Sequence, residues 1–135
     1  MLDIFLARDI EDIDRESLPV RLSLGGALYW FLHRYFVQAD LEPGNYSFLN
    51  LYEDTQLNGY QLHRLKTELE QALIDISAYP ETFEVLVGWS GTTKTVESED
   101  WKQVERASAE KTIKEFHNLI KEAVQKGWSL WAIGD

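Results

Sequence analysis

A chain of 135 residues with 44% hydrophobic and 27% charged residues has the length and composition of one folded domain, residues 1–135, able to bury a core without metal or disulfides. Five Trp, six Tyr and six Phe exclude a disordered chain, and the lack of any Cys excludes disulfides, thiolate metal sites and Cys nucleophiles. The net charge of −10 sets the chain against phosphate backbones and anionic membranes, and favours a basic protein as partner.

MLDIFLARD has no basic region ahead of its short apolar run and acid follows at once, so it does not read as a signal peptide. No apolar run approaches the roughly 20 residues of a membrane span, and the lack of Cys suits a reducing compartment; a cytoplasmic location is expected. LDIFLA, residues 2–7, is suited to a buried strand. Residues 8–22 read as a loop containing DIEDIDRE, which places Asp9, Glu11, Asp12, Asp14 and Glu16 within eight positions. Ser23 is positioned to cap a helix in which Leu24, Leu28, Phe31 and Tyr35 share one face, with Gly25 and Gly26 weakening its first turn. EPGN (42–45) is a turn, and YSFLNLYE (46–53) reads as a strand.

A second helix is predicted from about Leu57 to Ala78, with Leu62, Leu65, Leu69, Leu73 and Ile76 in a 3.6-residue stripe and Pro80 beyond its end. FEVLVGW (83–89) alternates Phe83, Val85, Val87 and Trp89 on one strand face. SGTT is a turn, and TVESEDW either returns as a strand or leads into a helix. The last helix spans roughly Ser108 to Lys126, buries Ile113, Phe116, Ile120 and Ala123, and ends at Gly127 with Lys126 suited to its dipole. WSLWAIGD closes as a strand. The order β, α, β, α, β, (β), α, β implies an α+β fold: one sheet of four to five mostly antiparallel strands with about three helices packed on it.

Charge is clustered. Residues 3–16, 40–54 and 81–105 each carry a net −4, whereas residues 106–126 carry +2. DIEDIDRE does not fit the standard calcium loop: counted from Asp9, position 5 is Ile13, position 6 is Asp14 rather than Gly, and position 12 is Val20 rather than Glu. It reads as a solvated or partner-facing loop. Some pair among 23 carboxylates meets a glycosidase spacing by chance alone. His33, His63 and His117 fall in three different predicted helices without metal-ligand spacing, and GWSGTT lacks the GxSxG elbow of a serine hydrolase. No catalytic residue, metal site or cofactor is therefore assigned, and the chain does not read as an enzyme.

The aromatics of ALYWFLHRYF cover more than one side of the first helix, because Trp30 and Phe31 point about 100° apart. Either this helix is sandwiched and buried all round, or it carries an exposed partner anchor. Trp89 and Trp101 bracket SGTTKTVESED, so aromatic rings stand beside Glu97, Glu99 and Asp100, a composition suited to Arg or Lys on a basic protein. The acid blocks 9–16 and 97–100, the charge of −10 and the closing strand GWSLWAIGD give the chain a general character that resembles bacterial immunity proteins of polymorphic toxin and contact-dependent inhibition systems. That resemblance carries no residue-by-residue correspondence. It implies a stoichiometric inhibitor covering the basic active-site face of a toxin, such as a nuclease. The expected partner-binding residues are Asp9, Glu11, Asp12, Asp14, Trp89, Glu97, Glu99, Asp100 and Trp101, with no nucleic acid or membrane as partner. The alternative is a small-molecule-binding or enzymatic domain with an aromatic pocket at residues 29–36, lined by Tyr29, Trp30 and Tyr35 with His33 as its acid or base.

Overall fold

The computed structural model describes residues 1–8, 19–39, 54–89 and 98–134. The expected strands at 46–53 and the turns at 42–45 and 90–93 lie outside the described residues. Within them the chain runs β1 (Leu2–Ala7), β2 (Leu22–Leu24), α1 (Gly26–Ala39), β3 (Asp54–Leu57), α2 (Tyr60–Ile76), β4 (Thr82–Trp89), β5 (Glu99–Glu105), α3 (Arg106–Lys126) and β6 (Ser129–Gly134). The fold is α+β. Four antiparallel strands form a sheet in the order β2-β1-β6-β3, and β4 and β5 form a separate two-stranded antiparallel sheet.

β1 and β6 take the two central places, and their register runs from Leu2 opposite Gly134 to Ala7 opposite Ser129. Both read as nearly continuous apolar runs because both of their faces carry buried residues. Leu2, Ile4, Leu6, Leu130 and Ala132 enter the main core on one face, joined by Leu22 and Leu24 from β2 and Leu57 from β3. Phe5, Ala7 and Ile133 are buried on the other.

Three expected helix starts move. Ser23 does not cap α1; it lies in β2 and its hydroxyl donates to Asp3 Oδ1 at 2.7 Å across the β1–β2 ladder. The Gly25 carbonyl, accepting from Tyr29 N–H at 2.9 Å, opens the helix instead. Leu57, expected to open the second helix, is instead the last residue of β3, opposite Leu130. Gly59, at φ 53°, then turns the chain into α2. α3 begins two residues earlier than Ser108.

The three helices pack antiparallel in the order α1-α2-α3. The predicted Leu62, Leu65, Leu69 and Ile76 are buried on α2, with Ala72 beside them and Leu73 only partly buried; on α3 the predicted Ile113, Phe116, Ile120 and Ala123 are buried, joined by Ala109 and Leu119. Side chains join the helices at both interfaces. The Tyr35 hydroxyl donates to Asp75 Oδ2 at 2.7 Å, and Arg34 Nη2 donates to the Tyr35 oxygen at 2.5 Å. His117 Nε2 meets Glu70 Oε1 at 3.0 Å between α2 and α3. α3 ends in a full Schellman turn: Gly127 at φ 68° donates to Val124 O at 3.2 Å and Trp128 donates to Ala123 O at 2.9 Å. This matches the C-terminal signal of Gly after Lys126.

Candidate partner-binding face

The β4–β5 hairpin lies on α1, and its two faces differ. Phe83 and Val85 on β4 and Val104 on β5 turn inward and pack against the core. Phe83 is held in an aromatic cluster, with its ring centroid 4.6 Å from that of Tyr79 and 5.5 Å from that of Phe31, while Phe31 meets Tyr79 edge-on at 5.5 Å. The base of the hairpin is tied to α3 as well. Arg106 N–H donates to Glu81 O at 2.8 Å, and its guanidinium donates to Tyr79 O at 2.6 Å. The outer face is thus carried on a fixed support.

Strict alternation would send Val87 and Trp89 inward with Phe83. The ladder instead slips by one residue: Leu86 pairs with Trp101, but Gly88 pairs with Asp100 and Trp89 with Glu99. Val87 is the extra residue of a β-bulge, which re-aims the side chains that follow. Trp89 therefore joins the opposite face, with Glu99 directly across from it and Trp101 two residues further along β5. The two indoles are 39% and 47% exposed, unusual for so large an apolar side chain. Trp101 Nε1 donates to Glu99 Oε2 at 3.0 Å, which fixes one ring beside the carboxylate.

Thr82, Glu84 and Leu86 on β4 and Gln103 and Glu105 on β5 complete this face by register. Among the described residues it carries three carboxylates, Glu84, Glu99 and Glu105, and no base. Lys102 stands opposite Val85 and Asp100 opposite Gly88, so both project from the other side of the ladder. Of the expected site residues, the structure brings Trp89, Glu99 and Trp101 together and sends Asp100 elsewhere. Asp9, Glu11, Asp12, Asp14 and Glu97 lie outside the described residues. Glu84, Gln103 and Glu105 were missed, although the sequence holds their signal. In EDWKQVE the inward Val104 marks one set of alternating positions, which leaves Glu99, Trp101, Gln103 and Glu105 on the other.

The aromatic helix is built differently from an open pocket. Tyr29 is 2% exposed, and its ring packs on Trp30 at 5.1 Å and Phe36 at 5.8 Å. Tyr35 is buried, and burial together with the hydrogen bond to Asp75 pushes its hydroxyl up to about 12. His33 is half-buried with its ring 5.0 Å from that of Trp30, and burial lowers its pKa from the ordinary imidazole range. Among the described residues, open clefts border α1 near its two ends. One of about 330 Å³ meets Ala27 and Leu28, and one of about 380 Å³ meets Gln38 and Ala39. Among the described residues no group of three or more His, Asp or Glu is placed to hold a metal ion, and no helix is long and apolar enough to cross a membrane. No protein-family model matches the chain, and neither a curated protein nor a solved structure is significantly similar to it.

Proposed function

We propose that the chain is an acidic protein-binding module whose outer β4–β5 face captures a basic partner, and that it serves as an immunity-type inhibitor covering the active-site face of a toxin such as a nuclease. The observation that carries this reading is the composition of one surface: among the described residues, two exposed tryptophans and three carboxylates with no base beside them. Exposed Trp is the residue type most often found at interface hot spots, and an aligned set of carboxylates steers a basic surface toward it. A nuclease must be basic where it meets phosphate, so a carboxylate face competes with its substrate for the same charges. Such a protein acts in the compartment that its toxin attacks, and a chain without Cys is compatible with a reducing cytoplasm.

The test uses two affinity columns, one bearing the full chain and one bearing its Glu84→Lys/Glu105→Lys variant, loaded at low salt with lysate of the source organism and eluted in salt steps. The expected result is one basic protein retained only by the unmodified chain, in near-equal amount. When purified, that protein should be toxic or nucleolytic and should lose activity at one equivalent of added chain. Identical retention on both columns, or a retained protein whose activity the chain leaves untouched, overturns the inhibitor reading.

A further inference from the structure

We propose that β5 is a self-pairing edge: two copies of the chain join by antiparallel pairing of β5 with β5, centred on Trp101, so that the two hairpins form one continuous sheet. This goes beyond the toxin reading and does not rest on it, because pairing at the edge leaves the outer side of each ladder uncovered. Among the described residues β5 pairs with β4 alone, and no third strand joins that sheet. Asp100, Trp101, Lys102 and Gln103 are consecutive and all exposed, so β5 is open to water on both sides, whereas Val85, Leu86, Val87 and Gly88 of β4 are half-buried. β5 also lacks common guards of an edge strand: it has seven residues and no Pro, and the bulge lies on β4. β2, an edge of the other sheet, has only three residues.

The direction of the backbone groups follows from the ladder. Arg106 N–H donates to Glu81 O, which makes that opposed pair a hydrogen-bonded one. Bonded and non-bonded pairs alternate along an antiparallel ladder, so Val104 and Lys102 bond to β4, and the N–H and C=O of Glu99, Trp101 and Gln103 point away from it. A second β5 centred on Trp101 then makes bonded pairs of Trp101 with Trp101 and of Glu99 with Gln103, and the two indoles form an aromatic cross-strand pair. The non-bonded pairs, whose Cα atoms stand about 4.5 Å apart with side chains closest, are Asp100 with Lys102, made twice by the two-fold symmetry. Among the described residues neither Asp100 nor Lys102 has a side-chain partner in its own chain. Of the neighbouring registers, one centred on Lys102 sets Lys102 against itself and Glu99 against Glu105, and one centred on Asp100 sets Asp100 against itself, like against like. Charge thus selects one register. Lys102 alone would guard the edge, and Asp100 two positions away turns the guard into a self-complementary contact.

The experiment is sedimentation equilibrium of the full chain at about 0.15 M salt, where repulsion between the negative chains is screened beyond about 8 Å. The expected result is a reversible monomer–dimer equilibrium with a dissociation constant of about 100 μM, as suits an interface below the standard size. Asp100→Lys and Lys102→Glu should each weaken it by about tenfold or more, although Asp100→Lys makes the chain less negative overall. The swapped variant Asp100→Lys/Lys102→Glu should return to within about threefold of the unmodified chain. An equimolar mixture of the two single variants should form a heterodimer, since both close pairs are then of opposite sign. At high concentration the amide N–H groups of Trp101 and Gln103 should exchange more slowly with solvent, while those of Lys102 and Val104, already bonded to β4, should not change. Asp100 and Lys102 are exposed, so the variants should keep the fold, which far-UV circular dichroism reports. A chain that stays monomeric up to about 1 mM, a dimer that both single variants leave intact, or single variants that neither the swap nor the mixture rescues, each overturns the pairing. A dimer without any retained protein on the column leaves the edge standing and removes the inhibitor. A retained toxin and a monomeric chain do the reverse.

Discussion

Tyr35 joins two helices by one hydroxyl, and its chemistry makes the joint pH-sensitive. Its folded pKa is raised to about 12 from an ordinary 10.0 by burial and by the bond to Asp75. The neutral form is the one the fold holds, so its stabilisation is fully present below pH 10 and is lost as pH rises toward 12. Tyr35→Phe should therefore lower stability at neutral pH by about 1 kcal/mol and flatten the decline above pH 10, read as urea midpoints against pH. Gly127 offers a second residue-scale prediction. A Cβ there meets no heavy atom within 4 Å, so only the positive φ opposes a side chain. Gly127→Ala should cost about 1 kcal/mol through the backbone alone, and Gly127→Asn less, as thermal unfolding can resolve.

The hairpin shows what an element adds to its residues. With the bulge in place Phe83 belongs to the core and Trp89 to the surface, whereas simple alternation puts both inside. Phe83→Ala should accordingly cost about 3 kcal/mol, and Trp89→Ser no more than about 1 kcal/mol, in equilibrium unfolding. A Trp89 variant as costly as the Phe83 variant would restore the simple alternation. The bulge was not legible because one inserted residue leaves no compositional mark. β2 was missed for a related reason: three residues cannot display a period of two, and Ser23 suits a helix cap as well as a strand. Leu57 was placed at the start of the second helix, but it closes β3, where it pairs with Leu130 and is buried. The long stripes of α2 and α3, the apolar runs of β1 and β6, and the Gly127 stop were legible because each repeats or satisfies one physical demand several times. The site was half legible. Composition pointed to Trp89, Glu99 and Trp101, while their convergence depended on a register that only the folded ladder defines.

At the scale of the whole molecule, the net charge of −10 is offset locally by pairs that hold the layers together. Hydrogen bonds from His117 hold Glu70 below the usual carboxylate range, those from Tyr35 and Gln71 do so for Asp75, and those from Lys126 and Arg21 do so for Glu122. Each favours the ionised form in the folded state. Their stabilisation is present above the unfolded carboxylate value near pH 4 and is lost as pH falls through the lowered folded values. Unfolding by acid should thus begin below about pH 4, and Glu70→Gln should make that limb shallower, as followed by far-UV circular dichroism. The partner binding proposed for the β4–β5 face should weaken across a different range, with rising salt rather than falling pH, since Glu84 and Glu105 are exposed.

The pairing of β1 with β6 has a consequence for how the chain comes to be folded. The central ladder joins Leu2 to Gly134, so every helix lies within the loop that this ladder closes. The α1-α2-α3 layer is made of local contacts and can gather early, but the sheet beneath it must wait for β6 to emerge from the ribosome. Until then β1 presents an apolar strand with its β6-facing edge unpaired, and nascent chains stalled before Ser129 should be soluble only while the ribosome or a chaperone shields that edge.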